Sequence, residues 1–322
     1  MPELPEVQTV IDSLRPKLLG STISRVILNR QDIVTPNGTD LPARLTNQTI
    51  ARIDRRGKRI IFTLATGERF YIHLGMSGRL GMHRSEEPTV KHTHLVLHLM
   101  TATESSGASA DRAGQGRATE RDRATETDRA TEPGRAGPER LDTSRLSHRK
   151  KSSNSQLELR FTDPRRFGGV WWLGHDQSPD QNMGPEPLQT RPAQLAKRLA
   201  RTSRAIKNAL LDQTVIAGLG NIYVDESLFT AGIHPLQLAN ELTPDQMARL
   251  SRAIKSTLRK ALRHRGSTLR DYRDGDGLPG DFQSRHRVYD REGKPCRKCR
   301  TPIERIVLGG RSTHFCPRCQ RT

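Results

Sequence analysis

Two spacings of apolar residues divide the chain into a strand-rich half and a helical half. Val7, Val10, Ile11, Leu14 and Leu18 lie three or four residues apart, which predicts an amphipathic first helix that ends at Gly20. Short β-branched and aliphatic runs follow, separated by turns that contain glycine, and these predict strands in a sandwich or a barrel. The predicted strands are 22–28, 49–53, 59–64, 68–74, 94–99, 156–161 and 169–173.

The pattern becomes helical after residues 184–187, which read Gly-Pro-Glu-Pro. Aliphatic residues three and four positions apart predict helices over 195–200, 205–211 and 243–262. Ser203 and Thr243 are the expected N-caps, because their hydroxyls can accept a hydrogen bond from a free amide at a helix start. The fold class is therefore α+β, with room in 322 residues for two domains and a short tail.

Residues 101–155 interrupt this pattern. The stretch has almost no aliphatic content, repeats Arg-Ala-Thr-Glu from Arg117, Arg123 and Arg129, and holds 11 Lys and Arg against 9 Asp and Glu. Such a segment buries too little apolar surface to offset its ordering entropy, so we expect a disordered insertion. Its flanks, 94–99 and 156–161, are predicted to pair as a hairpin whose loop has been lengthened.

The net charge of the chain indicates what kind of partner it binds. The formal net charge is +19 and the sequence pI about 10.6, and nearly all of the excess lies outside the insertion. This balance indicates a polyanionic partner. No apolar run reaches membrane-spanning length, and no signal peptide is visible, so we expect a cytoplasmic protein.

The four cysteines form two C-x-x-C pairs, Cys296 with Cys299 and Cys316 with Cys319, sixteen residues apart. Two such pairs supply four thiolates on tight turns, which is typical of one structural Zn²⁺ with a closed coordination shell. Two disulfides are the competing interpretation, which would require an oxidising compartment. The tail that carries the cysteines is itself strongly basic, which favours contact with phosphates.

The chain begins Met1-Pro2-Glu3-Leu4-Pro5-Glu6. Removal of Met1 would leave Pro2 with a secondary amine that is partly uncharged at neutral pH and can form an iminium ion with a sugar aldehyde. Glu3 and Glu6 would then lie within reach for proton transfer. The alternative is a proline that only starts the first helix.

Eight motifs in order resemble those of formamidopyrimidine-DNA glycosylase, the bacterial enzyme that removes 8-oxoguanine and ring-opened purines from DNA. They are 1–10, 56–59, HLGMSG at 73–78, 91–94, DPRRFG at 163–168, 211–213, GLGNIYVDESLFTAGIHP at 218–235, and the cysteine tail. The resemblance covers the chain apart from the insertion.

The resemblance implies a bifunctional glycosylase and AP lyase. Pro2 would attack C1′ of the damaged nucleotide and form a Schiff base, and Glu3 would protonate the opening sugar. Lys58 would assist β-elimination; the alternative is a lysine that binds a phosphate from the same turn. Arg311 would bind phosphate and assist δ-elimination, unless it is one more surface arginine.

The same resemblance implies the DNA contacts. Met76, Arg165 and Phe167 would fill the gap left by the everted base, as an apolar wedge, a donor to the widowed cytosine and an aromatic plug. Met76 and Phe167 could instead be sheet core. The remaining expected contacts with DNA are those of His92, Lys207 and Asn221, the last at a helix start where backbone amides can hold a phosphate.

The implied architecture is an N-terminal β-sandwich flanked by helices (1–183), a helix–two-turn–helix domain (184–288) and a four-cysteine zinc finger (289–322). The implied partner is duplex DNA with a damaged purine, bound by a monomer at the nucleoid. Ser267-Thr268-Leu269-Arg270 departs from the family's usual base-recognition loop, and the DNA-binding lysine expected near 201–204 has no clear equivalent. The alternatives are an endonuclease VIII-type enzyme for oxidised pyrimidines and a non-catalytic zinc-finger DNA-binding protein.

Overall fold

The computed structural model describes residues 2–100 and 156–321. Their strands are Thr22–Leu28 (β1), Val34–Thr35 (β2), Ile50–Arg56 (β3), Arg59–Leu64 (β4), Arg69–His73 (β5), Arg79–Arg84 (β6), Thr93–Met100 (β7), Leu157–Thr162 (β8), Gly169–Gly174 (β9), Glu304–Leu308 (β10) and Arg311–Phe315 (β11). Their α-helices are Leu4–Leu18 (α1), Leu41–Leu45 (α2), Pro192–Leu199 (α3), Ile206–Leu211 (α4), Asn221–Ala231 (α5) and Pro244–Arg263 (α6).

The N-terminal half is a sandwich of two sheets. One sheet has the strand order β1-β7-β8-β6 and the other β2-β9-β5-β4-β3. Alternate residues of both sheets, such as Leu97 and Phe161 on one and Phe62 and Ile72 on the other, form one buried core. The apolar face of α1 joins this core, with Ile11 among its buried residues. The predicted sandwich and first helix are confirmed.

The predicted hairpin is also present, because β7 and β8 pair directly in antiparallel register with Leu99 opposite Leu157. The segment predicted to be disordered, 101–155, lies outside the described residues. Pro16 lies inside α1, which ends at Leu18, two residues before the predicted stop at Gly20.

The C-terminal half has a second core between α3, α4, α5 and α6. Thr243 caps α6 as predicted, since its Oγ1 accepts a hydrogen bond from the Gln246 amide at 3.2 Å. Ser203 is not a cap, and that prediction was wrong. The chain at Ala205 pairs in extended form with Leu238, so α4 begins only at Ile206.

A two-stranded hairpin, β10 and β11, closes the chain and packs on α5. It lies between the two cysteine pairs. Within residues 2–100 and 156–321, no helix combines the length and the apolar character that a membrane crossing requires. The proposed boundaries near 183 and 288 agree with the separate cores but stay predictions.

Candidate active site

Glu3 connects the two halves of the molecule. It is the N-cap of α1, yet its carboxylate accepts hydrogen bonds from the backbone amides of Gly220 (2.7 Å), Ile222 (2.9 Å) and Tyr223 (3.4 Å) at the start of α5. Backbone dipoles make a helix N-terminus favourable for a negative charge. The N-terminus of α5 therefore holds a side chain of this chain, where the sequence had suggested a DNA phosphate.

Burial sets the protonation of Glu3. The side chain is almost fully enclosed, which disfavours the charged form and raises the pKa of its carboxyl to about 7, against the opposing effect of the Lys58 ammonium. The negative charge of Glu6 adds to the rise. A carboxyl that exchanges its proton near neutral pH can serve as a general acid and then as a base.

Glu6 is anchored rather than free. Its Oε1 accepts hydrogen bonds from the Tyr223 hydroxyl at 2.5 Å and the Ser267 amide at 2.7 Å, and its Oε2 accepts one from the Glu3 amide at 2.9 Å. Burial raises the pKa of this carboxyl as well. Gly266 approaches so closely that a Cβ there would lie 2.5 Å from Glu6 Oε1. These contacts suit Glu6 to fixing the start of α1, whereas the sequence had offered it as a proton-transfer group.

Lys58 lies in the turn between β3 and β4 and is buried. Burial lowers the pKa of its ammonium, the nearby Glu3 carboxylate opposes that change, and the positive charge of Arg311 adds to it. Lys58 therefore interacts electrostatically with both Glu3 and Arg311, although the three predicted catalytic groups come from α1, the β3–β4 turn and β11. The side chain of Arg311 is exposed, as a phosphate contact requires.

Glu186 holds the turn of Lys58 in place. Its Oε1 accepts hydrogen bonds from the Gly57 amide at 2.7 Å and from Arg56 at 3.1 Å, and its Oε2 lies 2.6 Å from an Arg55 nitrogen. Hydrogen bonds and ion pairs with Arg55 lower the pKa of this carboxyl against the effect of burial. Glu186 stands in the segment between the two halves, so it fixes Lys58 relative to both.

A cavity of about 360 Å³ opens beside Pro2. Its wall includes residues from both halves of the molecule, among them Met76 and Arg165 on one side and Tyr272 and Tyr289 on the other. Ser267 and Arg270 of the expected base-recognition loop also line it. The volume is sufficient for a purine base with its sugar, within the usual range for ligand sites.

Two exposed loops flank this cavity. The side chains of Met76 and Phe167 are 43% and 55% exposed, which rules out the alternative that they belong to the sheet core. The Arg165 guanidinium lies 5.0 Å from the centre of the Phe167 ring. Asp163, fully buried, accepts hydrogen bonds from Ser77 Oγ at 2.6 Å and from the amides of Arg165 and Gly168 at 3.2 and 2.8 Å. One carboxylate thus joins both loops.

The other predicted DNA contacts differ in exposure. His92 is exposed, with the unusual φ of +67°. Asn221, partly buried, donates from Nδ2 to the Ser312 carbonyl at 2.9 Å. Lys207 is completely buried, and its ammonium contacts Asp225 at 2.7 Å and the Ser312 carbonyl at 2.8 Å. Lys207 and Asn221 therefore hold the β10–β11 hairpin against α5, and their contact with DNA stays a prediction.

The four cysteines come together at the base of that hairpin. All four sulfurs lie within 4.8 Å of one another, with Cys299 and Cys316 at 3.4 Å and Cys296 and Cys319 at 4.0 Å. Four thiolates at about 2.3 Å from one Zn²⁺ require separations of this size, whereas a disulfide requires about 2.05 Å. The cysteines fit one structural zinc ion, and the disulfide alternative is excluded.

Sequence reasoning missed three residues that support this site. Tyr223 and Asp225 lie in the GLGNIYVDESLFTAGIHP motif but look like ordinary helix residues, and Glu186 stands in a Gly-Pro-Glu-Pro segment that looks only like a boundary between the two halves. Each is a polar group whose partner is distant in sequence. Tyr223 binds Glu6, Asp225 pairs with Lys207, and Glu186 binds Arg55 and Gly57. A single sequence carries no signal for such pairs.

Three family models match the chain. The formamidopyrimidine-DNA glycosylase N-terminal domain matches residues 1–115, the H2TH domain of the same family matches 183–273, and the zinc finger found in FPG and IleRS matches 293–322. The order of the three models is the order of the sandwich, the second core and the cysteine hairpin described above.

Full-length relatives and solved structures agree with these models. The formamidopyrimidine-DNA glycosylase of Symbiobacterium thermophilum is 39% identical and covers 99% of this chain and 89% of its own. The Lactococcus lactis Fpg in complex with abasic-site DNA superposes with a TM-score of 0.78 at 29% identity, covering 99% of this chain and 100% of its own. The MutM (FPG) protein of Thermus thermophilus gives a TM-score of 0.74 at 35% identity, covering 99% and 98%.

Proposed function

This chain belongs to the formamidopyrimidine-DNA glycosylase family, and we propose that Pro2, Glu3, Lys58 and Arg311 carry out its reaction. It is a DNA glycosylase of base excision repair that binds duplex DNA as a single chain and carries one structural zinc ion.

The first step is attack on the damaged nucleotide. A base inside a duplex is out of reach of Pro2, so the nucleotide must be turned out of the helix into the cavity beside it. The Pro2 nitrogen forms a bond to C1′ as the bond between C1′ and the base breaks, and the proton that the nitrogen loses goes to the departing base. Glu3, which burial keeps partly protonated at neutral pH by raising its pKa, gives its proton to the ring oxygen as the C1′–O4′ bond opens. The product is an iminium ion on Pro2.

The iminium ion then serves as an electron sink for strand cleavage. Loss of a C2′ proton expels the 3′ phosphate by β-elimination, and a further elimination expels the 5′ phosphate. We assign Lys58 to the first elimination as the group that accepts the C2′ proton, because the burial that lowers the pKa of its ammonium favours the neutral amine. Arg311 binds the departing phosphates, and water releases the sugar fragment from Pro2.

The eversion of the base leaves a gap, which the two loops joined by Asp163 are shaped to fill. Met76 and Phe167 are exposed apolar side chains beside the cavity, and apolar wedges of this kind unstack base steps and kink the duplex. Arg165 lies over the Phe167 ring and supplies donors for the unpaired base opposite.

We infer that the substrates are oxidised purines, including formamidopyrimidines, in the chromosomal DNA of a bacterial cytoplasm. Support comes from Leu4, which stands where the endonuclease VIII type has glycine, and from the DPRRFG segment. A solved relative from Lactococcus lactis is in complex with DNA that contains N7-benzyl-Fapy-dG. The alternative of a non-catalytic DNA-binding protein does not explain a buried Glu3 with a pKa of about 7.

One observation supports the proposal most strongly: the carboxyl next to Pro2 is held on the N-terminus of α5 with its pKa raised to about 7. The test is single-turnover cleavage of duplexes that contain either 8-oxoguanine or an oxidised pyrimidine. We expect faster base release from 8-oxoguanine, with strand ends bearing phosphates on both sides of the gap. Preference for the pyrimidine, or binding without cleavage, would favour one of the two alternatives.

A further inference from the structure

A second, basic cleft lies apart from the lesion cavity. Its volume is about 350 Å³, and it shares no lining residue with the cavity beside Pro2. The ring of Phe282 separates the two: it lies 5.8 Å from the ring of Tyr223, whose hydroxyl binds Glu6, while Phe282 itself lines the cleft. This cleft is therefore a separate feature and not an extension of the active site.

Five cations from three segments meet at this cleft. They are exposed, and they come from the end of α6, from the segment after Phe282, and from the first cysteine turn: Lys260, Arg263, Arg285, Arg287 and Arg297. None of the five forms an ion pair with any residue in 2–100 or 156–321. Their side-chain hydrogen bonds are to neutral groups, such as that of Arg297 to the Ser284 carbonyl at 3.1 Å.

Acidic groups around the cleft do not neutralise these cations. Glu226 lines the cleft but is buried, and its carboxylate accepts hydrogen bonds from the amides of Arg287, Val288 and Tyr289 at 2.9 to 3.0 Å. Asp281 lies 3.7 Å from His264 at the rim and is mostly exposed. Like charges held together in a concave site concentrate a positive potential and attract anions.

The cleft continues along α6. Arg252, Lys255 and Arg259 stand three or four residues apart on the same face as Arg263, and the structure gives none of these three an ion pair among the described residues. From Arg252 to Arg263 the helix rises about 16 Å. A phosphate strand of B-form DNA passes roughly five nucleotides over that length.

We propose that the outer face of α6 and the basic cleft form a second binding surface for duplex DNA, which contacts its phosphates outside the lesion cavity. The proposal extends the proposed function, since it takes DNA as the substrate, but it concerns a duplex segment other than the one being repaired. Such a surface would hold the protein near DNA while the active site searches for or leaves a lesion.

The chemistry favours DNA over an acidic protein as the occupant. Four of the five cations of the cleft are arginines, whose planar guanidinium groups bind phosphate oxygens in pairs. A protein partner would need a buried apolar or aromatic anchor. Phe282 is only 4% exposed, and apart from Thr230 the exposed residues that line the cleft are charged.

The test first fills the active site and then adds a second duplex. The protein is trapped by borohydride on a short duplex that contains 8-oxoguanine, and the adduct is titrated with a labelled, undamaged duplex of about 30 base pairs, which spans some three helical turns. The variants are K260Q/R263Q/R285Q, which removes three cations of the cleft, and R25Q/R84Q/K197Q, which removes three exposed cations that line neither the cleft nor the lesion cavity.

We expect the wild-type adduct and the R25Q/R84Q/K197Q adduct to bind the second duplex alike. The K260Q/R263Q/R285Q adduct should bind at least about 10-fold more weakly, with the slope of log K against log salt reduced by about 2 to 3, since each phosphate contact contributes roughly 0.9. Equal binding by both variants, or no second-duplex binding by the wild type, would overturn the proposal.

Two further measurements distinguish DNA from an acidic protein as the occupant, and failure of the second surface from failure of the proposed function. Polyglutamate and unlabelled DNA are compared as competitors of the labelled duplex, with their concentrations expressed per negative charge. If polyglutamate displaces the duplex at the lower concentration, the assignment to DNA would be overturned in favour of an acidic protein. Protein blocked at Pro2 and saturated with the same short duplex allows the same titration without an adduct. Failure to form the adduct therefore counts against the proposed function. Failure of the wild-type protein to bind the second duplex counts against the second binding surface.

Discussion

Asp163 Oδ1 accepts a hydrogen bond of 2.6 Å from Ser77 Oγ, and this bond joins the loop of Met76 to the loop of Phe167. Asp163 is fully buried, and its carboxylate also accepts hydrogen bonds from the backbone amides of Arg165 and Gly168. The three proposed gap-filling side chains lie on these two loops. The hydrogen bond between Ser77 and Asp163 therefore fixes the positions of these side chains relative to one another as they enter the duplex.

Ser77→Ala should weaken base excision more than it weakens the fold. The free energy of unfolding should fall by only about 1 kcal/mol, the usual contribution of one hydrogen bond, while single-turnover excision from a lesion duplex should slow by about 10-fold, since misplaced positioning groups are costly. Ser85→Ala, which removes an exposed hydroxyl bonded to the Gln156 carbonyl, is the control. Equal rates for Ser77→Ala and wild type would show that the two loops act independently.

Glu3→Gln should change the pH dependence of excision as well as its rate. The Glu3 carboxyl has a pKa of about 7, so the protonated acid is lost as pH rises through 7 and the wild-type rate should fall there. Glu3→Gln cannot donate the proton, and we expect a loss of about 100- to 10,000-fold with no fall above pH 7. Single-turnover rates measured on both sides of neutral pH give both effects.

The same carboxyl should make the fold less stable as pH rises. Since the folded pKa of Glu3 lies above its ordinary value of 4.5, its contribution to stability is complete below about 4.5 and is lost as pH rises through about 7. Denaturant unfolding across this range should show a smaller decline for Glu3→Gln than for wild type. An identical decline in both proteins would mean that Glu3 ionises normally.

Glu186→Gln should affect strand cleavage more than base release. The substitution removes the charge that pairs with Arg55 and Arg56 and weakens the acceptor of the Gly57 amide, so the turn of Lys58 loses its fixed position. We expect β-elimination to slow by roughly 10-fold or more, since small displacements of a catalytic group are costly. Glu186→Asp should restore part of the rate.

The matched control for Glu186 is Asp180→Asn. Asp180 pairs with Arg56 but is 61% exposed and does not contact Gly57. The assay separates base release, measured by heating in alkali, from enzymatic nicking. If Glu186→Gln slowed both steps equally, or if Asp180→Asn had the same effect, Glu186 would be only a general support of the fold.

Removal of zinc should weaken DNA binding without unfolding the two larger cores. The four thiolates stabilise the hairpin of Arg311, and that hairpin contacts α5 through Lys207, Asn221 and Ser312. Chelation or Cys316→Ser should reduce the salt slope of lesion-duplex binding by at least about one unit. Added zinc should restore chelated wild type but not Cys316→Ser. Unchanged affinity without metal would contradict this account.

Local patterns predicted much of the fold. β1 and β4 have the predicted bounds, and β5, β7, β8 and β9 differ by one residue at one or both ends, because their apolar runs end at turns that the sequence marks. β2, α2, β6, β10 and β11 were missed. β2 has only two residues and α2 only five, so neither carries a usable period, and β6 contains Arg79, Gly81 and Arg84, which conceal its alternation.

The site was predicted in its parts but not in its connections. The resemblance predicts Pro2 and Glu3 as catalytic groups, and the spacing of the cysteines alone predicted the metal site. The binding of Glu3 to α5, the burial of Lys207 and the support of Lys58 by Glu186 are contacts between distant parts of the chain. Tertiary packing determines them, and no local pattern encodes them.

The measurement that tests the central claim most directly is the site of covalent attachment. The protein is incubated with a duplex containing 8-oxoguanine in the presence of borohydride, digested, and analysed by mass spectrometry. We predict a reduced sugar adduct on the nitrogen of Pro2 in a chain that has lost Met1, and no adduct when an N-terminal tag blocks Pro2. An adduct on Lys58 or another lysine, or full activity in protein that retains Met1, would contradict the proposed mechanism.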